Sequence, residues 1–252
     1  MQRIAFVFVA VLTLALASRA EAITWSAGTA ECPVCKKTVP VQRVASYGSY
    51  VYRYPSKYQL VFWPHTDSLS YYFCPDCHYS AFMSEFAKLP ADKLKAVKET
   101  VAKLKKPQPQ KPYDQIPIDY RLGIAGAVAR VLGHDDVYWC HYERVLGYHL
   151  QKLGHKEAAK AARLRSLALA QKLLKGDGPE PTKKELMFLV GALQHFTGQK
   201  PEALATLARV PKTPVEPKGK MKDEQQKSFG EYIDALAKSL IEMIDKGEKV
   251  PE

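Results

Sequence analysis

The sequence predicts an α+β protein: a small β zinc-ribbon-like part at the N-terminus, then an all-α tetratricopeptide-like helical stack. Three observations carry this. Residues 23–79 are rich in tyrosine and β-branched residues and contain two C-P-x-C motifs. A lysine-rich amphipathic stretch and a proline-rich run follow. Beyond Ile118 the apolar residues recur only at helical spacing.

The chain has 252 residues, 46% of them hydrophobic and 25% charged, which reads as globular and not disordered. Its first 22 residues, "MQRIAFVFVAVLTLALASRAEA", have the parts of a signal peptide: Arg3, an apolar run from Ile4 to Ala17, and Ala20-Glu21-Ala22 as a cleavage site. Cleavage after Ala22 and a periplasmic or secreted location are expected. The apolar run is short for a membrane span, and no later segment is apolar enough for one, so the protein is not expected to be integral to the membrane. Loss of two arginines and one glutamate would lower the formal net charge from +11 to +10. In an exported protein this basic balance points to anionic lipid surfaces, acidic envelope polymers or acidic proteins, or simply to a solvated lysine surface, and not to nucleic acid.

Residues 23–79 form the first part. In "VQRVASYGSYVYRYP", Tyr50, Tyr52 and Tyr54 alternate as on one face of a strand that Pro55 closes. With Arg43, Arg53 and Lys57 they offer a surface that could stack sugars or grip a peptide, although in so small a sheet one face is expected to cover the core. "YQLVFW", 58–63, is expected as a second strand, and "SYYF" as a third leading into Cys74.

Residues 80–117 are read as a basic connector. "SAFMSEFAKL" suits a short helix from Ser80, and Leu94, Val97, Val101 and Leu104 recur at helical spacing with lysines on the other face. From Lys88 to Lys111 eight lysines stand against Asp92 and Glu99. "PQPQKPYDQIP" has four prolines in eleven residues and marks a linker.

Residues 118–210 carry a faint repeat. Gly126 precedes Gly133, Gly147 precedes Gly154 and Gly191 precedes Gly198, each pair seven apart; Ala159 and Ala203 follow the later two. The downstream glycine suits a helix C-terminus with positive φ, and the upstream glycine lets paired helices approach. These are helix-turn-helix units similar to tetratricopeptide repeats, 44 residues apart, whose stack would bind a protein partner. Asp135 is the expected N-cap of the helix that follows it, with Trp139, Tyr142, Leu146, Leu150 and Leu153 as its apolar stripe. Residues 211–252 are a loop and a capping helix, about Lys222 to Lys246.

The chemistry lies in Cys32, Cys35, Cys74 and Cys77, as "CPVC" and "CPDC" with 38 residues between the pairs. Two-residue spacing lets one turn bring both sulfurs to one ion, and four thiolates suit tetrahedral Zn²⁺ with no open coordination position, hence a structural metal. Two alternatives remain open. An exported chain can close either pair as a disulfide. An apolar strand followed by CPxC and a helix is also how thioredoxin-like oxidoreductases present a reactive dithiol, here Cys74 and Cys77, for thiol-disulfide exchange or redox sensing. Against that, no strand pattern follows residue 80 and "CPVC" stays unexplained.

Other candidates are weaker. His141 and His149 lie two helical turns apart near His134 and Asp135, without the spacing of a known metal motif. His78 is a possible substitute ligand, His65 is expected in a solvated turn with Asp67, and Cys140 as a buried small hydrophobe. No G-x-S-x-G, P-loop or dinucleotide fingerprint is present, so no catalytic residue is assigned.

"ECPVCKKTV", the aromatic middle, "CPDCHYSAF" and "IDYRLGIAGAVARVL" together resemble a bacterial domain-of-unknown-function family that pairs two CPxC knuckles with tetratricopeptide-like helices. The resemblance spans residues 31–205 and implies Cys32, Cys35, Cys74 and Cys77 as metal ligands. Lys36, His78 and Ser80 depart from its pattern, standing where the family tends to have Gly, Gly and Ala. It implies an architecture and no reaction.

Overall fold

The computed structural model describes residues 23–48, 55–106, 111–176, 182–215 and 222–251. The signal-peptide region, Tyr50, Tyr52, Arg53 and Tyr54, and prolines 107 and 109 lie outside these residues. Two antiparallel hairpins come first. Strand β1 (Ile23–Glu31) pairs with β2 (Thr38–Tyr47), Glu31 opposite Thr38, with a register shift between Thr24 and Trp25. Strand β3 (Tyr71–Phe73) pairs with β4 (Ser80–Phe82), Phe73 opposite Ser80. Along β2, Val39 and Val41 turn inward between exposed Thr38 and Pro40, the period-two pattern of a strand covered on one side.

Two expectations fail in this region. "YQLVFW" is not a strand: Pro55–Gln59 is a 3₁₀ turn, and Leu60 has φ 51°. Tyr58, Gln59, Leu60 and Val61 are all buried in succession, which a half-covered strand cannot achieve. The segment is wedged among helices instead. The Tyr58 hydroxyl lies 2.8 Å from Ser239 Oγ, and the carbonyls of Gln59 and Leu60 accept from Arg144 Nη1 at 3.1 and 3.2 Å. Nor does a helix begin at Ser80. That residue opens β4, its Oγ donating to Tyr72 O at 2.9 Å, because the second CPxC turn folds the chain back on β3.

Seven α-helices follow among the described residues: α1 (Leu94–Leu104), α2 (Ile118–Leu132), α3 (Asp136–Lys152), α4 (Lys156–Leu174), α5 (Lys183–Phe196), α6 (Lys200–Leu207) and α7 (Asp223–Lys246). Hairpins α3–α4 and α5–α6 stack in chain order, and α7 packs on α5 and α6. Gly133, Gly154 and Gly198 have φ of 79°, 81° and 92°, the left-handed conformation in which a side chain is strained. Within the second hairpin, a Cβ on Gly191 would lie 2.7 Å from Leu207 Cγ, so the glycine is what lets α6 approach α5. Ala159 and Ala203 are fully buried at the corresponding positions of the partner helices.

Asp135 caps α3 by accepting from Tyr138 N at 2.9 Å. The apolar stripe expected on that helix is only partly inside: Tyr142 is buried and Leu153 is 45% exposed, whereas Glu143, Arg144 and His149 are also buried. α3 is covered from several sides, and polar side chains with defined partners serve inside. Glu143 takes a two-pronged bond from Arg165 at 2.9 and 2.8 Å, and His149 Nε2 lies 2.9 Å from His65 O.

Two large apolar clusters organise the molecule. One joins the helical hairpins to α7 through Phe188, Leu193, Leu207, Ile233 and Leu240. The other surrounds the cysteines and runs from Val39 and Phe73 through Val97 and Val101 of α1 to Ile124 and Val128 of α2. No helix among the described residues is long and apolar enough to cross a membrane.

Candidate metal centre

Each CPxC is the turn of one hairpin, and the two turns are built alike. Cys32 N–H donates to Lys37 O at 2.9 Å and Lys36 N–H to Cys32 O at 2.9 Å; Cys74 N–H donates to Tyr79 O at 2.8 Å and His78 N–H to Cys74 O at 2.8 Å. The residue after the second cysteine of each turn is left-handed, Lys36 at φ 66° and His78 at φ 69°. Glycine would carry no Cβ penalty there. A second contact offsets the cost at His78: its Nδ1 lies 2.7 Å from the Tyr120 hydroxyl of α2.

The turns meet face to face. One ligand atom from each of Cys32, Cys35, Cys74 and Cys77 lies within 4.8 Å of the others. The 3.5 Å contacts run between knuckles, Cys32 to Cys77 and Cys35 to Cys74, and all five cysteines of the chain are free thiols. A tetrahedral site with Zn–S bonds of about 2.3 Å has S···S edges of about 3.8 Å, inside the span of these separations. Cys32 and Cys74 are fully buried and Cys35 and Cys77 partly accessible. Hydrogen bonds from Cys74 and Cys77 bring the Cys32 thiol down to about 4, while its sulfur neighbours and burial push Cys77 well up. The neighbouring thiols thus favour ionisation of Cys32 and oppose that of Cys77, and a cation among the four sulfurs would allow all of them to bind as thiolates. The donor set therefore fits a soft or borderline divalent metal.

Lysines flank the site. Lys37 Nζ reaches Asp76 Oδ1 at 2.5 Å, and Lys105 Nζ donates to Asp76 O at 2.6 Å, so α1 is tied to the second knuckle. Lys98 and Lys105 line a shallow hollow beside Cys35 and Cys77. The lysine side of α1 is exposed, with Val97 and Val101 on its buried side and Leu104 39% exposed.

The remaining candidates fall elsewhere. Cys140 is buried against Ser166, 3.6 Å from its Oγ. His65 is half-buried and not a free turn residue; its ring stacks on Phe82 at 4.2 Å and meets His141 edge-on at 4.5 Å. His134 stacks on Tyr138 at 3.8 Å. His141 and His149 do not converge on one ligand position, since His141 Nδ1 faces Arg144 and His149 Nε2 faces His65 O. Arg43 donates to Thr29 O, and Lys57 lies over the Tyr58 ring. Sequence reasoning missed the buried arginines. Arg121 bonds three carbonyls, Ile116 O, Ser68 O and Tyr71 O; no sequence signal marks it, because a helical arginine is ordinarily exposed.

Paired CPxC hairpins with an all-thiol cluster, mounted on helical hairpins, define a tetracysteine-knuckle protein with a helical body. Residues 26–126 match the model of the family described as "Uncharacterized protein conserved in bacteria (DUF2225)", a span that holds both knuckles, α1 and the first half of α2. No curated protein and no solved structure matches the chain.

Proposed function

We propose that Cys32, Cys35, Cys74 and Cys77 hold a structural Zn²⁺ and that the protein is a non-catalytic binding or adaptor module of the bacterial envelope. The observation that carries this is the approach of four free sulfurs, from two like hairpins, to within 4.8 Å of one another. A four-thiolate site leaves the metal no open position, so the ion would hold the knuckles together and not act on a substrate. Stacked helical hairpins are suited to engaging a protein partner. The N-terminal pattern of Arg3, the apolar run and Ala20-Glu21-Ala22 supports export, and the exposed lysines of α1 support contact with anionic envelope material.

Metal analysis and a thiol count on protein isolated from the periplasm test the reading. One zinc per chain, with all four thiols recovered only after denaturation in chelator, is expected. Two disulfides and no metal would overturn it. Reductase or isomerase turnover on a disulfide substrate, lost in Cys74→Ala, would replace the scaffold with the thiol-disulfide oxidoreductase or redox-sensor reading.

A further inference from the structure

Away from the cysteines, a cleft of about 520 Å³ opens between the segment from Ala81 to Lys93 and helices α2 and α3. Its volume lies in the range of small-molecule sites, about 300–1,000 Å³. Tyr79, Phe82, Tyr138, Tyr142, Val128 and Leu132 make its sides aromatic and apolar.

Three imidazoles interrupt this lining: His134, which stacks on Tyr138, and His65 and His141, which meet edge-on. His65 Nδ1 lies 2.9 Å from the Tyr71 hydroxyl. His141 Nδ1 lies 3.3 Å from Arg144 Nη2, and a guanidinium only donates, so this nitrogen accepts. The neutral His141 ring therefore carries its proton on Nε2, as a donor. Among the described residues neither ring's Nε2 has a hydrogen-bond partner.

Arg144 sets the sign of the site. It is buried, and its guanidinium donates to the carbonyls of Cys140, Gln59 and Leu60 and to His141. Among the described residues no carboxylate forms an ion pair with it. Burial, then the Arg144 charge, holds both imidazoles neutral, His65 at about 4 and His141 well below its ordinary value. Lys88 and Lys93 add positive charge to the lining, against the single carboxylate of Glu85. A cation behind the floor and more cations than anions around it favour a negatively charged occupant.

We propose that this cleft is a binding site for a small planar aryl carboxylate. Its ring lies against the aromatic sides, and its carboxylate accepts from His141 Nε2 in the field of Arg144. The proposal does not rest on what the cysteines bind.

Calorimetric titration of the full mature protein with 2-naphthoate, and with 2-naphthamide as a neutral match, tests this. Binding of the acid at least tenfold tighter than the amide is expected. Ala129→Phe, which places a ring in the cleft, should abolish binding; His141→Phe, which keeps the ring and removes the donor, should weaken the acid about tenfold. Should either variant fail to fold by circular dichroism, Lys88→Gln/Lys93→Gln at positions not packed in the core decides: it should weaken the acid severalfold at low salt and leave the amide unchanged. Absence of 2-naphthoate binding to folded wild type overturns the proposal. So does equal affinity for acid and amide, or binding that survives a folded Ala129→Phe or is unmoved in the lysine pair.

Discussion

His78 Nδ1 lies 2.7 Å from the hydroxyl of Tyr120, so the second cysteine knuckle is bonded directly to helix α2. The same hydroxyl accepts from Lys106 N at 3.1 Å, joining the end of α1 to the contact. Metal loss should therefore not stay within the hairpins. In Cys74→Ser, or after chelation, amide exchange is expected to accelerate in β1–β4, α1 and the first turns of α2, because these share one apolar cluster with the cysteines. α5 and α7, in the other cluster, should keep their protection. Uniform acceleration across all helices would show a single cooperative unit instead.

The two left-handed knuckle residues should respond oppositely to glycine. Lys36 is exposed and its Nζ stands 3.6 Å from Glu31, an exposed pair of small worth. Lys36→Gly removes the Cβ strain at φ 66° and should raise stability by about 0.5–1 kcal/mol. His78→Gly relieves the same strain but loses the Tyr120 bond and a ring packed on Phe73 at 5.2 Å, and should be neutral or destabilising. Urea midpoints of the metal-loaded variants measure both.

Arg121→Met tests the buried arginines. Its guanidinium is the shared donor to Ile116 O, Ser68 O and Tyr71 O, and it ties α2 to the start of β3. Methionine fills much of the volume and satisfies none of these acceptors. At about 1–3 kcal/mol for each buried group left without a partner, a loss of at least about 3 kcal/mol is expected, read from equilibrium unfolding.

Acid should weaken the α3 region. Burial holds His65 and His149 at about 4, against 6.5 for a free imidazole. A folded value below the unfolded one means the unfolded chain binds the proton better. The stabilisation is thus complete above pH 6.5 and is lost as pH falls toward 4, by up to about 1.4 kcal/mol per pH unit for each group. Denaturation at pH 7 and pH 5 should show the loss, and a shallower dependence in His149→Asn would assign it. An unchanged slope in that variant would place the effect elsewhere, the cysteine cluster foremost.

The sequence carried the local devices well and the long-range ones poorly. The CPxC turns, the Gly133, Gly154 and Gly198 caps, Asp135 and the bounds of α7 each follow from a few adjacent residues with a fixed conformational preference. Segment 58–63 misled because aromatic and β-branched residues are as suited to a buried wedge as to a strand, and only Arg144 and Ser239, far along the chain, distinguish the two. His65 misled for the same reason: a Pro-His-Thr-Asp turn is ordinarily solvated, and α3 covers this one. The cysteine cluster was legible as four candidate ligands but not as part of a core reaching α2, because the proline-rich stretch read as a break.

The lysine face of α1 offers the last test. Lys95, Lys98, Lys103, Lys105 and Lys106 are exposed, while Val97 and Val101 hold the opposite side of the helix against the cysteine cluster. The face is therefore presented by a fixed helix. Lys105 is partly committed, donating to Asp76 O, whereas Lys95 and Lys98 have solvated heads. An anionic surface would meet several ammonium groups at once, with an attraction screened over about 8 Å at physiological ionic strength. Replacement of Lys95, Lys98, Lys105 and Lys106 by glutamine is expected to abolish co-sedimentation with phosphatidylglycerol vesicles at low salt. Because Lys105 also anchors the knuckle, Lys95→Gln/Lys98→Gln alone should already weaken it severalfold without changing zinc content. Wild-type protein that does not sediment, or a quadruple variant that sediments equally, would reduce this face to a solvated surface.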